Sequence, residues 1–167
     1  MRFTSVAVAT SLALVSISTS LSGQRPDYQV DARSMALLAQ GKAARAAGDP
    51  DRATDLLETS VAVDPRNREA FVVMADLARQ RGLPGKAIRL YREALLLEPD
   101  DVIALQGQGA ALVAKGAVAR AKENLARIRT LCKTGCAPAT TLAAVIAKGP
   151  PIATAQAVAP KPPTAEE

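Results

Sequence analysis

Gly48, Gly82 and Gly116 stand 34 residues apart, and so do Ala53, Ala87 and Ala121. Asp49-Pro50 is answered at the same interval by Leu83-Pro84, and Pro65 by Pro99. A fixed period constrains the fold more than any single motif, because each unit is one supersecondary element that buries its apolar face only by stacking on its neighbours. A 34-residue unit has room for two helices and two short connections, so the period predicts stacked helix–turn–helix pairs. Composition agrees. The 167 residues include 35 alanines, while aromatics are only 2% of the chain. Small side chains of high helix propensity suit closely packed helices and argue against a β-sandwich.

Within each unit the local chemistry points the same way. Ser34 to Ala47 carries apolar residues at helical spacing and ends at Gly48, which can take the left-handed conformation that closes a helix. Asp49 can cap the next helix, and Pro50 sits in its first turn, where a missing N–H costs nothing. That helix runs through Ala53, Leu56, Leu57 and Val61 and stops at Asp64-Pro65. A second unit repeats the scheme with Phe71, Met74, Ala75 and Ala78, then Gly82, then Ala87, Leu90, Tyr91, Ala94 and Leu95, and stops at Glu98-Pro99.

These residues resemble the tetratricopeptide repeat family. The second unit matches best, with Phe71, Met74-Ala75, Ala87, Tyr91, Ala94 and Pro99 at the family's bulky, Leu-Gly, Ala, aromatic, Ala and Pro positions. The first unit keeps Leu37, Gly41, Ala53, Leu57 and Pro65 but has Ser60 where a small apolar residue is usual. The third keeps Leu105, Gly109, Ala121 and Leu125, with Ile128 at the small position and Lys133 where Pro is usual. The resemblance implies an all-α fold, a right-handed α-solenoid of about three such repeats whose first helices line a concave groove that binds a peptide segment. The groove-facing set would then be Met35, Leu38, Lys42 and Arg45, followed by Val72, Asp76 and Arg79, and by Ile103, Gln106 and Ala110. An apolar floor with a few charges suits an extended or helical peptide of some acidic character. Family members that grip the free carboxylate of a chaperone tail use a Lys/Asn/Arg clamp. Leu38, Lys42, Val72 and Asp76 do not reproduce it.

The repeats are expected to cover 34–67, 68–101 and 102–135, followed by a capping helix at 138–148 with Leu142, Val145 and Ile146 on its apolar stripe. Residues 23–33 read as a flexible lead-in, and 149–167, rich in Pro and Ala without amphipathic period, as a disordered tail. Residues 1–22 read as a signal peptide. Arg2 is followed by an uncharged run from Val6 to Ile17 and by small residues at Ser20 and Ser22, placing cleavage after Ser22. The alternative is an uncleaved anchor, although the run is short for a membrane span. Export implies a periplasmic or secreted protein in an oxidising compartment.

The chain has no histidine, which excludes Ser-His-Asp and Cys-His catalysis and any zinc site that needs imidazole. Cys132 and Cys136 therefore read either as a structural disulfide, with Gly135 supplying the bend, or as a redox-active pair in a thiol-disulfide accessory protein. Gly107-Gln108-Gly109 starts like a dinucleotide fingerprint but lacks the third glycine and the preceding strand, so Gly109 reads as a close-approach point between paired helices. Between Val102 and Cys136, Lys115, Arg120, Lys122, Arg127, Arg129 and Lys133 face the single acid Glu123. Arg120 with Arg127, and Lys122 with Arg129 and Lys133, form two rows flanking a stripe of Val118, Ala121, Leu125, Ile128 and Cys132. Such rows are either a solvated helix face or a patch attracted to an anionic surface. Nucleic acid is not expected, since no aromatics stand among these charges. The expected function is a non-catalytic envelope protein binding a peptide segment of another protein as scaffold or adaptor, without cofactor or metal.

Overall fold

The structure, a computed structural model, describes residues 29–132 and 135–151. They form seven helices: α1 (Ala32–Ala46), α2 (Pro50–Val63), α3 (Arg68–Gln80), α4 (Pro84–Leu97), α5 (Val102–Ala114), α6 (Val118–Leu131) and α7 (Ala137–Lys148). No strand occurs among the described residues. The period is kept to the residue. The second helices begin at Pro50, Pro84 and Val118 and end at Val63, Leu97 and Leu131, each 34 apart. The signal-peptide segment 1–22, most of the tail and Lys133 lie outside the described residues.

Local chemistry sets these boundaries. Gly48, Gly82 and Gly116 take φ of 79°, 69° and 79° just after α1, α3 and α5, a region where a Cβ would be strained, so each closes a first helix. Asp49 caps α2 by accepting the Arg52 N–H at 3.0 Å, with Pro50 in the first turn. Leu83 and Ala117 stand at the corresponding positions without a side-chain cap. Asn67 and Asp101 cap α3 and α5.

Packing is most extensive within the pairs α1–α2, α3–α4 and α5–α6, and each pair then stacks on the next through α2–α3 and α4–α5. This is an all-α solenoid of helix pairs. Ala53, Ala87 and Ala121 are fully buried. Around Tyr91, itself fully buried, the core is almost entirely alanine: Ala75, Ala78, Ala87, Ala94, Ala104 and Ala111. The alanine excess thus lets α3, α4 and α5 close around one large ring.

The structure corrects the sequence reading at several points. The helix α1 starts two residues before Ser34 because Asp31 accepts the Arg33 N–H. From Gln29 the lead-in is tied down: Arg66 Nη2 donates to the Gln29 carbonyl (3.1 Å), and the Asp31 N–H donates to Asp64 (2.7 Å). The close approach at Gly109 is not to its paired helix α6. A Cβ there would lie 2.6 Å from a Leu142 methyl of α7, which packs against both α5 and α6. Val118 and Cys132 are only half-buried, leaving Ala121, Leu125 and Ile128 as the buried stripe of α6. Ser60 is fully buried and hydrogen-bonded to Ser34 and Asn67, so a polar cluster replaces the small apolar contact of the other units.

Asp64 has a second task. Its buried carboxylate accepts from the Arg66 N–H and Nε, both at 3.0 Å, as well as from Asp31. The side-chain hydrogen bond from Arg66, then its backbone N–H, hold the carboxyl well below the usual range against the opposing effect of burial. A depressed folded pKa gives stability that is complete above the unfolded value near 4 and is lost as pH falls through the folded value. Asp64→Asn should therefore lower the melting temperature at neutral pH, with the gap to the parent narrowing steadily below about pH 4. Thermal unfolding followed by circular dichroism from about pH 7 to pH 2 reads this; a gap that stays constant through the acid range contradicts it.

Candidate functional site

The first helices α1, α3 and α5 touch one another in sequence along the solenoid, so their outward sides form one continuous face. At its amino-terminal end Met35 and Ile103, at equivalent repeat positions, are 44% and 51% exposed. Lys42 on α1 and Arg79 on α3 are exposed, Arg45 is half-buried, and Gln106 and Ala110 on α5 are half-buried. Two expected groove residues are not available. Leu38 is buried with Ala53, Leu57 and Leu77, and Val72 with Ala75 and Ala104. Both point into the inter-helix core, because the curve of the stack closes over the apolar edge of each first helix.

The face is most structured between α1 and α3. Asp76 accepts the Tyr91 hydroxyl at 2.6 Å. Arg79 Nη2 lies 3.5 Å from one oxygen of that carboxylate, and Arg45 Nη1 lies 3.8 Å from the other. Lys42 pairs with Glu69. Lys42, Arg45, Ala46 and Val73 together line a shallow depression. Burial, reinforced by the Asp76 carboxylate, pushes the Tyr91 hydroxyl above its ordinary range and keeps it a protonated donor. Sequence reasoning missed Glu69 and the hydroxyl of Tyr91. Glu69 occupies the register of Met35 and Ile103, so the period alone could have placed it; Tyr91 was read only as a packing residue.

The other candidates lie elsewhere. Arg120, Lys122, Arg127 and Arg129 are exposed on α6, and Arg127 is engaged by Asp100 at 2.9 Å. The Cα atoms of Cys132 and Cys136 are 5.7 Å apart, within the span of a disulfide. Gly107 and Gly109 lie inside α5, each facing a buried side chain. Among the described residues there is no group of three His, Cys, Asp or Glu placed to hold a metal ion, and no helix long and apolar enough to cross a membrane.

Residues 37–107 match the tetratricopeptide repeat family profile. No curated protein matches the chain. Among solved structures, the first tetratricopeptide domain of Spaghetti bound to an HSP90 peptide superposes with a TM-score of 0.65 at 22% identity, covering 71% of this chain and 94% of that one. The Sgt2 tetratricopeptide domain from Aspergillus fumigatus gives 0.65 at 21%, covering 73% and 82%. The second such domain of human RPAP3, in complex with an HSP70 peptide, gives 0.62 at 18%, covering 68% and 94%. At these identities the likeness is one of fold. With the matched profile and the unbroken 34-residue register of its helices, the chain belongs to the tetratricopeptide repeat family.

Proposed function

We propose that this chain is a non-catalytic interaction module of the cell envelope, periplasmic or secreted, that holds a peptide segment of a partner protein in the groove of α1, α3 and α5. The observation that carries the reading is the exposed side of those three helices, where apolar Met35 and Ile103 alternate with the charged corner of Lys42, Arg45 and Arg79. Such a mixture suits docking of an amphipathic segment. The Spaghetti and RPAP3 domains, which share this fold, were solved with chaperone peptides bound. The leader-like residues 1–22 support export. Capture of partners from an envelope extract by the tagged chain tests the assignment: Lys42→Glu with Arg79→Glu should release the partner. If the same proteins are recovered with parent and double variant, the groove is not the site.

The cysteines fit a structural staple better than a redox centre. Both are half-buried and pack against the cluster of Leu105, Leu125, Ile128 and Leu142, whereas reactive thiols sit in exposed electropositive settings. Gly135, at φ 64°, makes the bend between them. A bond closing so short a loop stabilises by about 2 kcal/mol in the chain-entropy account. Cys132→Ser with Cys136→Ser should thus lower stability by about that amount in urea titrations and leave partner capture intact. Loss of capture with unchanged stability would favour thiol-disulfide chemistry instead.

A further inference from the structure

Asp76 is shared by three donors and satisfies only one of them well. The Tyr91 hydroxyl sits at 2.6 Å, but Arg79 and Arg45 stand at 3.5 and 3.8 Å, where a well-made guanidinium–carboxylate contact is about 2.7–2.9 Å. Each guanidinium carries five N–H donors, and Asp76 is the only carboxylate within ion-pair distance of either. Asp76 cannot turn to make a forked pair without giving up Tyr91, whose ring is fixed in the core. Next to them Lys42 is committed only to Glu69, in a pair whose members are 47% and 42% exposed, and such surface pairs are worth little. Val73 and Ala46 complete the depression with apolar surface. Three cations thus face two carboxylates, around a recess sized for a small apolar side chain.

We propose that this corner, formed by Lys42, Arg45 and Arg79, receives a carboxylate of an acidic peptide segment of a partner protein, which displaces Asp76 as counterion of the two arginines. The inference rests on peptide binding in the groove and adds the class of peptide. Asp76 is a built-in competitor: held by Tyr91, it keeps the arginines extended and separate while the groove is empty and yields them when a better-placed carboxylate arrives. A small apolar residue next to the acidic one fills the recess over Val73 and Ala46.

The test uses the full chain and two labelled heptapeptides, SRMEEVD and its isosteric amide SRMQQVN, with binding read by fluorescence anisotropy. The acidic peptide should bind tighter than the amide. Arg45→Gln with Arg79→Gln should abolish that preference, and Asp76→Asn should strengthen acidic-peptide binding by about fivefold, the size of one released surface ion pair. Asparagine still accepts from Tyr91, and an unchanged melting curve verifies the fold. Equal affinity for the two peptides, or a preference that survives loss of both arginines, overturns the proposal while leaving peptide binding in the groove intact. Absence of binding of either peptide to Asp76→Asn also overturns it, and the capture experiment then decides the groove separately. The chain's own Glu166 and Glu167 carry the same chemistry. If Glu166→Gln with Glu167→Gln strengthens probe binding and Asp76→Asn does not, the corner is filled by the chain's own segment and the partner assignment fails.

Discussion

Gly107→Ala should lower the unfolding free energy by about 2–3 kcal/mol, the range of a core overpacked by one methyl group with no room to relax. A Cβ at Gly107 lands on the Tyr91 ring and hydroxyl. Tyr91 is fully buried within a shell of alanines from α3, α4 and α5, and there is no rotamer into which it can retreat without opening that shell. The gain in helix propensity from Gly to Ala, up to about 1 kcal/mol, works against the clash and is smaller than it. Gly85→Ala is the matched control: the residue is also helical and a Cβ there meets nothing within 4 Å, so that variant should be as stable as the parent or slightly more so. Urea unfolding of both variants separates the clash from the propensity effect. The damage should also reach the groove, since moving the Tyr91 hydroxyl breaks its 2.6 Å bond to Asp76, and peptide affinity should change in Gly107→Ala but not in Gly85→Ala. A Gly107→Ala variant with parental stability would mean that the ring moves freely and that the alanine shell does not fix it.

The features legible in the sequence are those written in short-range chemistry. Gly48, Asp49 and Pro50 act on their own neighbours, and the helix boundaries they imply agree with the structure to within a residue or two. The period carried that agreement from unit to unit, since every later helix follows its counterpart by 34 residues. What was not legible depends on partners distant in sequence. Nothing near Gly107 announces Tyr91, which lies 16 positions upstream on another helix, and nothing near Gly109 announces Leu142. The projection of α1 and α3 put Leu38 and Val72 on the groove because a helical wheel gives direction without curvature. Superhelical packing moves that row into the core by a fraction of a turn, whereas Lys42 and Arg79, farther round the wheel, remain outside.

Asn67 tests the same long-range principle where the contacts are polar. Its amide nitrogen donates to Ser34 Oγ at 2.8 Å and to Ser60 Oγ at 3.0 Å, while its oxygen accepts the Ala70 N–H at 3.2 Å and caps α3. The two serines each donate to the other's carbonyl, both at 2.8 Å. All three residues are buried, so the cluster joins α1, α2 and the start of α3 without water. Asn67→Ala removes the cap, worth about 1 kcal/mol. It also leaves two buried hydroxyl oxygens short of a donor, at about 1–3 kcal/mol for a group so stranded. The expected loss is about 3 kcal/mol, a large share of the stability of a small domain. Ser34→Ala with Ser60→Ala strands the Asn67 amide instead, leaving only Met35 Sδ at 3.9 Å. Because each change damages the other's partners, the triple variant should lose clearly less than the sum of the two, as expected for a shared network. Urea titration of the three variants measures the coupling. Strict additivity would mean that the three side chains act independently and that Ser60 is simply tolerated at a site where the other two units carry apolar residues.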